Sequence, residues 1–533
     1  MTSLNPTMHA PPAAAATFES PSFPEAAVRR RAAAALLAAV LLGVLGDALL
    51  NTRWPGVNVP LWCLATVATA LGLERAHRGG TSPAALGFGV AVVFFSSVFA
   101  WRETDAVLVP SMFSMLSAFG MLAFTLARWP ADLPGATIPR YFAAAFGLGL
   151  SAVVGAPVLV AGDGALTRTS EAPRTSRVLP LLRGIAIAIP ILFVFAQLLG
   201  AADARFAAFL ARIIDVDLAR VIQHVVFGGF IAWVTAGWLR GALIARQPLG
   251  VTESALRGSA FRLGVTELVV PLVLLDVLFV AFIAFQLPYL FGGAGHLRVA
   301  AGLTAAEYAR RGFFELVAVA ALLLPLLLLG NALLRRENAR EVRVFHAAAS
   351  TTLVLLAIIM ISAMQRMRLY TMYFGLTQSR IFATAAMLWL AVVFVLFATT
   401  VLRGRPRWFV LGALVTGWIT VATLALLNPA AMVVRNQVSR ALEGREVDFA
   451  YLGKLGADAA PAISDALPSL TPEVRCQLAG VLAARAGNRE RGLPEDWRWW
   501  NASARRAFEV ARAIPADLRS CAANGPPPVV NPT

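Results

Sequence analysis

The chain has 533 residues, 58% of them hydrophobic and only 14% charged, with a mean hydropathy of +0.70. Soluble globular chains are nearer half apolar and a quarter charged, so a soluble enzyme, a disordered protein and a nucleic-acid-binding domain are excluded as the main reading. The net charge of +16 comes from 46 basic and 30 acidic residues. Arginine gathered in loops on one membrane face produces such a surplus without any nucleic acid partner.

In chain order, residues 1–31 are an Ala-, Pro-, Ser- and Thr-rich extension ending in Arg29, Arg30 and Arg31, and they are expected to be disordered. The apolar run that follows is expected to be a first spanning helix rather than a signal peptide, because it starts late and no small-residue cleavage site follows it. A hydrocarbon core of about 30 Å needs about 20 apolar residues per helix. Twelve segments qualify as candidates: 32–50, 59–73, 84–101, 106–127, 141–162, 178–200, 221–239, 264–288, 312–334, 346–364, 381–402 and 408–427. Residues 32–177 form the N-terminal transmembrane segments and 178–427 a second transmembrane bundle. The expected fold is all-α, a polytopic transmembrane helix bundle of about 11–12 spans with a small helical C-terminal extramembrane domain.

Loop arginines set the orientation. If all twelve segments cross, the basic residues divide evenly between the two sides. If 141–162 does not cross, the balance favours the side of the N-terminus. That segment carries Gly147, Gly149, Gly155 and Pro157, which points to an interrupted or re-entrant helix. The reading is eleven crossings, with the N-terminus inside and the C-terminal domain outside.

The C-terminal domain, 428–514, reads as short helices. Thr471-Pro472-Glu473 is a helix start, closed by Gly487, and Pro494-Glu495-Asp496 opens another helix that carries Trp497, Arg498, Trp499, Trp500 and Arg505. Mixed Trp and Arg suit a membrane-interface surface or a partner-binding surface. Residues 515–533 form a Pro-rich tail expected to be disordered. Of the three cysteines, Cys63 sits in an apolar run as a packing residue. Cys476 and Cys521 both lie in the tail, where they can pair if it faces an oxidising compartment.

Charges inside lipid are costly, so each needs a reason. Asp276 lies at the centre of 264–288. Glu267, nine residues earlier, falls on the opposite helix face and cannot form a simple acid–base pair with it. Arg183, His224 and Glu315 complete a candidate intramembrane polar site, and Asp47 closes the first span. One reading is a proton or cation site titrating at Asp276; the other is interhelical hydrogen bonding that fixes the packing. The five histidines show no metal-ligand spacing, no nucleotide-binding or nucleophile motif is present, and no cofactor is expected.

Several stretches carry a family resemblance. They are Tyr289-Leu-Phe-Gly-Gly293 with residues 302–316, Arg366-Met-Arg-Leu-Tyr370 with Tyr373-Phe-Gly-Leu-Thr377, Arg380 and Trp389, the span from Glu267 through Asp276 to Gln286, and Asn428-Pro429 through Asp448 to Tyr451-Leu452. They resemble a family of bacterial multi-pass membrane proteins known as domain-of-unknown-function 4173, related to the 4153 group. The resemblance covers roughly 179–500. It implies an integral membrane protein of the bacterial envelope and no established activity.

It also directs attention to two loops on the tail's side. Tyr289, Glu307, Arg310 and Arg311 lie in one, and Arg366, Arg368, Tyr370 and Arg380 in the other. They read either as aromatic and Arg anchors at headgroup level or as a shared outward-facing pocket for an anionic group. Three functions stay open. The first is a non-enzymatic envelope scaffold or regulatory membrane partner acting through 428–514, with the lipid bilayer as its other partner. The second is a proton- or ion-coupled transporter using Asp276, and the third an interfacial enzyme on a lipid-linked substrate.

Overall fold

The computed structural model describes residues 25–52, 54–127, 138–161, 218–245, 263–291, 313–335, 337–445, 448–486, 496–516 and 518. Among these residues every regular element is helical, and the one β-type contact is an isolated parallel bridge between Leu263 and Leu334. Eleven long helices come first: α1 (Glu25–Leu50), α2 (Asn58–Arg78), α3 (Pro83–Trp101), α4 (Asp105–Ala127), α5 (Ile138–Ala161), α6 (Leu218–Leu243), α7 (Val265–Phe291), α8 (Phe313–Leu333), α9 (Ala339–Phe374), α10 (Gln378–Leu396) and α11 (Phe409–Leu427). Among the described residues nine of them, all but α2 and α5, are long and apolar enough to cross a membrane. The fold is an all-α polytopic helix bundle. Residues 178–200, 292–312 and the other sequence features in the gaps lie outside the described residues.

Hydrogen bonds at the helix ends define two sides. On the first, Arg31 of α1 donates to His77 O at the end of α2, Arg78 donates to Leu126 O at the end of α4, and the Leu263–Leu334 bridge joins the start of α7 to the end of α8. On the second, the loops after α1 and α3 meet the C-terminal domain: Val57 N donates to Trp500 O (3.0 Å) and Asn501 Nδ2 to Arg102 O (2.8 Å). The start of α1 and the C-terminal domain therefore sit at opposite ends of the bundle.

Two cores hold the helices. Ala35, Ala39, Val67, Leu122 and Leu239 centre the first, within α1–α6. Leu327, Phe345, Leu356 and Phe397 centre the second, within α7–α10 and the π-helical turn Phe397–Val401. α11 leans on both, with Val410 touching each core and Trp418 packed on Phe88 and Phe95.

The interruption expected at 141–162 is absent. α5 is continuous through Pro157 and lies antiparallel along α6, with Gly155 against Gly237 and Leu148 and Ser151 against Gly241. Its glycine and proline serve α6 rather than breaking α5. A Cβ on Gly237 would stand 2.2 Å from Ser151 O, so only glycine permits this approach. Proline has no N–H and so leaves the carbonyl four residues earlier without its helical donor. That carbonyl is Val153 O, and Trp233 Nε1 of α6 donates to it at 2.7 Å.

Among the described residues the C-terminal domain has five α-helices: α12 (Pro429–Leu442), α13 (Phe449–Lys454), α14 (Ala460–Ala466), α15 (Pro472–Ala486) and α16 (Ala502–Ala513). Val433, Leu452, Ile463, Leu478, Leu482 and Ala507 build its core, and Leu376 and Ile381 from the α9–α10 turn pack against it. The single helix expected from Pro494 is instead a 3₁₀ turn, Trp497–Trp499, capped by Asp496, followed by α16. Asn501 causes the break, because its side chain accepts from Ser503 N and Ala504 N and so starts a new helix. Cys63 is a free buried thiol, Cys476 is disulfide-bonded, and Cys521 lies outside the described residues.

Gly237→Leu is expected to cost several kcal/mol, since backbone atoms cannot yield as side chains do. Trp233→Phe is expected to cost about 1–3 kcal/mol by orphaning Val153 O. Thermal unfolding of the purified protein in detergent checks both, and wild-type melting for both would refute this account of α5.

Candidate functional site

The residues flagged inside the spans fall at separate places. Asp276 is half-buried at the middle of α7, beside Thr352 of α9; its Oδ1 has no hydrogen-bond partner. Thr352 is fully buried and donates to Ala348 O in its own helix (3.1 Å). Glu267 is at the other end of the scale, a local cap at the start of α7 whose Oε2 accepts from Gly264 N at 2.7 Å. Glu315 is exposed in the first turn of α8. His224 and Asp47 are brought together at 2.7 Å on the side of the C-terminal domain. Asn51 donates to Asp47 Oδ1 (3.0 Å), and Gln223 donates to Asn51 (2.9 Å). Arg183 lies outside the described residues.

Of the loop residues, Tyr289 belongs to the last turn of α7, and Glu307, Arg310 and Arg311 lie outside the described residues. The second group clusters around the α9–α10 turn. The Arg380 guanidinium stacks on the Tyr370 ring, 3.9 Å from its centroid, and donates to Gly375 O. Arg366 is half-buried and Arg368 exposed. The C-terminal domain completes this corner. Arg440, buried, donates from Nη1 to Met372 O (2.9 Å) and from Nη2 to Tyr373 O (2.8 Å), capping the end of α9. Gln437 donates to Leu376 O, Asn436 accepts from Leu376 N, and the Tyr451 hydroxyl accepts from Gln378 N.

The densest polar cluster among the described residues was not visible in the sequence. Asp458, 2% exposed, sits in the turn before α14. Its Oδ2 accepts from Thr104 Oγ1 (2.6 Å), Thr104 N (3.0 Å) and Glu103 N (3.2 Å), all in the α3–α4 loop. Its Oδ1 accepts from Ser503 Oγ (2.6 Å) and faces Arg102 at 3.7 Å. Arg102 in turn donates to Ala425 O (2.8 Å) and Leu426 O (3.2 Å) at the end of α11. Asn501 donates to Phe99 O and Arg102 O at the end of α3, and Asn428 donates to Asp458 O. Asn428 adopts a left-handed backbone (φ 54°), which asparagine tolerates, and it turns the chain from α11 into α12 while capping α12. Burial pulls the Arg102 guanidinium below its usual range, and Asp458 offsets part of that shift.

A second fastening lies beside it. Arg498 donates to Asp496 Oδ2 (2.7 Å) and Oδ1 (2.9 Å) and reaches Ala48 O at the end of α1. The hydrogen bond from Arg498 holds the Asp496 carboxyl below its ordinary range. Gly56 fits against the Trp499 backbone, where a Cβ would come within 2.5 Å. The Trp/Arg segment is thus mainly a joint, with Trp497 exposed. At the opposite end of the bundle, Glu74 is buried beside Arg78 (3.6 Å).

One large cavity of about 1340 Å³ lies between the two cores, walled by α2, α4, α5 and α6 on one side and α10 and α11 on the other. Asp276 does not line it. Among the described residues no group of three or more His, Cys, Asp or Glu is placed to hold a metal ion.

A family model described as a domain of unknown function (DUF4153) matches residues 89–466, from α3 to α14. No curated protein and no solved structure matches the chain.

Removing the Asp458 carboxylate leaves two loop N–H groups and two hydroxyls without their acceptor and Arg102 without its counter-charge. Asp458→Ala is therefore expected to cost about 3–5 kcal/mol and to loosen the C-terminal domain, read as faster limited proteolysis at 428–445. Unchanged proteolysis and melting would refute the joint. The Asp496 contact follows pH in a defined direction. Its folded pKa is depressed, so its stabilisation is present above the unfolded value of about 3.9 and is lost as pH falls through the folded value. As pH falls from the unfolded value through the folded one, cleavage around 496–500 is expected to rise in wild type and to change much less in Asp496→Asn.

Proposed function

The chain belongs to the DUF4153 family, and on that premise we propose that it is a non-enzymatic membrane protein of the bacterial envelope that holds a rigid C-terminal domain at the outer face of the inner membrane as the docking site for another envelope protein. The observation that carries this reading is the Asp458 joint. A carboxylate with four hydrogen-bond donors, drawn from the α3–α4 loop and α16, fixes the domain to the bundle. A domain so fastened presents a constant surface. The exposed side of α16 supplies a charged one, with Arg505, Arg506, Glu509 and Arg512 all facing outward.

Two independent features support the orientation. Among the described residues, arginines at the helix ends are denser at the end away from the C-terminal domain, with Arg29–Arg31, Arg75, Arg78, Arg335, Arg340, Arg343, Arg403 and Arg405 there. That is the pattern of a cytoplasmic face. The disulfide at Cys476 belongs in an oxidising compartment such as the periplasm.

Asp276 is better accounted for as an interhelical joint than as a coupling site. It lies beside the buried Thr352 of α9, and the large cavity does not reach it.

The test is crosslinking in native membranes followed by identification of partners. Charge reversal at Arg505 and Arg512, both exposed, is expected to abolish a specific envelope crosslink without changing melting. Asp276→Asn is expected to leave it intact. A crosslink pattern unaffected by the reversals, or solute uptake in proteoliposomes that Asp276→Asn abolishes, would overturn the reading.

A further inference from the structure

The cavity between the two cores runs lengthwise along the bundle. Its wall on α11 extends from Phe409 to Leu424 and its wall on α4 from Val109 to Phe124. At about 1.5 Å per residue each wall is about 22 Å long, most of a hydrocarbon core of about 30 Å. Both helices are among those apolar and long enough to cross a membrane, so the cavity lies at hydrocarbon depth.

Most of its polar groups are already committed; Trp238 Nε1 is buried without a hydrogen-bond partner. Trp62 Nε1 donates to Leu42 O, Trp389 Nε1 to Ala413 O and Trp418 Nε1 to Ser117 Oγ. The Thr66, Ser114 and Thr420 hydroxyls donate to carbonyls of their own helices. Water needs two to four polar partners to occupy a cavity, and these walls leave it few. Close-packed interiors do not keep empty voids of this size, because every lining atom would forfeit its contacts. The filler has to be apolar.

It also has a route in. Val109, Phe113 and Leu116 follow one face of α4, line the cavity and are 49%, 63% and 53% exposed. The cavity is therefore open sideways, to the medium that surrounds spanning helices. That medium is lipid tails.

We propose that the slot between α4, α5 and α6 on one side and α10 and α11 on the other binds the acyl chain of a membrane lipid, as an integral part of the folded protein. The ligand chemistry is a linear hydrocarbon chain, about as long as the slot. A bilayer phospholipid and a lipid-linked envelope molecule would both supply it.

Two glycines make the proposal testable without breaking the fold. Gly120 on α4 and Gly149 on α5 line the slot, and a Cβ at either meets nothing within 4 Å. Gly120→Phe and Gly149→Phe put a ring into the slot from different helices. The full chain is purified from native membranes, washed in mild detergent and analysed by native mass spectrometry. It is then reconstituted into phosphatidylethanolamine–phosphatidylglycerol vesicles in which the phosphatidylethanolamine acyl chains are brominated to quench tryptophan fluorescence.

Wild type is expected to retain lipid at about one molecule per chain and to show quenching that falls when Trp389 and Trp418 are both changed to Phe. Each glycine variant is expected to lose most of the retained lipid and that part of the quenching, with unchanged gel filtration. The mass of the retained lipid separates a phospholipid from a lipid-linked molecule. Equal lipid retention and equal quenching in wild type and in a folded glycine variant would overturn the proposal. So would quenching in wild type that is indifferent to Trp389 and Trp418. The second comparison stands even if neither glycine variant folds.

Discussion

A helix that ends at the membrane surface leaves its last four carbonyls without helical donors, and something must supply them. On the side of the C-terminal domain this protein meets that demand with side chains from distant parts of the chain. Arg102 donates to the end of α11, Asn501 to the end of α3, Arg440 to the end of α9 and Arg498 to the end of α1. Asp458 stands at the centre of the largest such group, accepting from the loop that joins α3 to α4 and facing Arg102. Buried and with its oxygens occupied, the carboxylate is stabilising only while every donor is in place. The domain and the bundle therefore hold each other in register.

The same economy explains the sparse charge within the spans. Asp276 lies beside Thr352, Glu267 caps the start of its own helix, and His224 meets Asp47 where α6 starts and α1 ends. These groups serve separate local contacts. The polar chemistry is spent on holding helices together, and the free volume lies elsewhere, in an apolar slot between the two cores.

The apolar runs made the helix bundle legible, because a span must be continuous and its length is set by the bilayer. Asp276 was legible as a residue that needed a partner, but Thr352 could not be picked out among the many threonines. Gly155 and Pro157 were read as local breaks, since proline removes a local hydrogen bond. The compensating donor, Trp233, comes from another helix 80 positions away. Asp458 gave no signal at all. It stands in the alanine-rich run Gly456-Ala457-Asp458-Ala459, and its partners Glu103 and Thr104 are 355 and 354 positions distant. Local pattern reports local structure, and a joint between distant segments leaves little trace in either.

The central claim is that the α3–α4 loop is bound to the C-terminal domain through Asp458. Amide hydrogen exchange at Glu103 and Thr104, measured on the full chain in lipid nanodiscs, tests it most directly, because both N–H groups donate to that one carboxylate oxygen. The account predicts exchange as slow as in the flanking turns of α3 and α4. Exchange at the rate of a free loop, with those helices still protected, would contradict it.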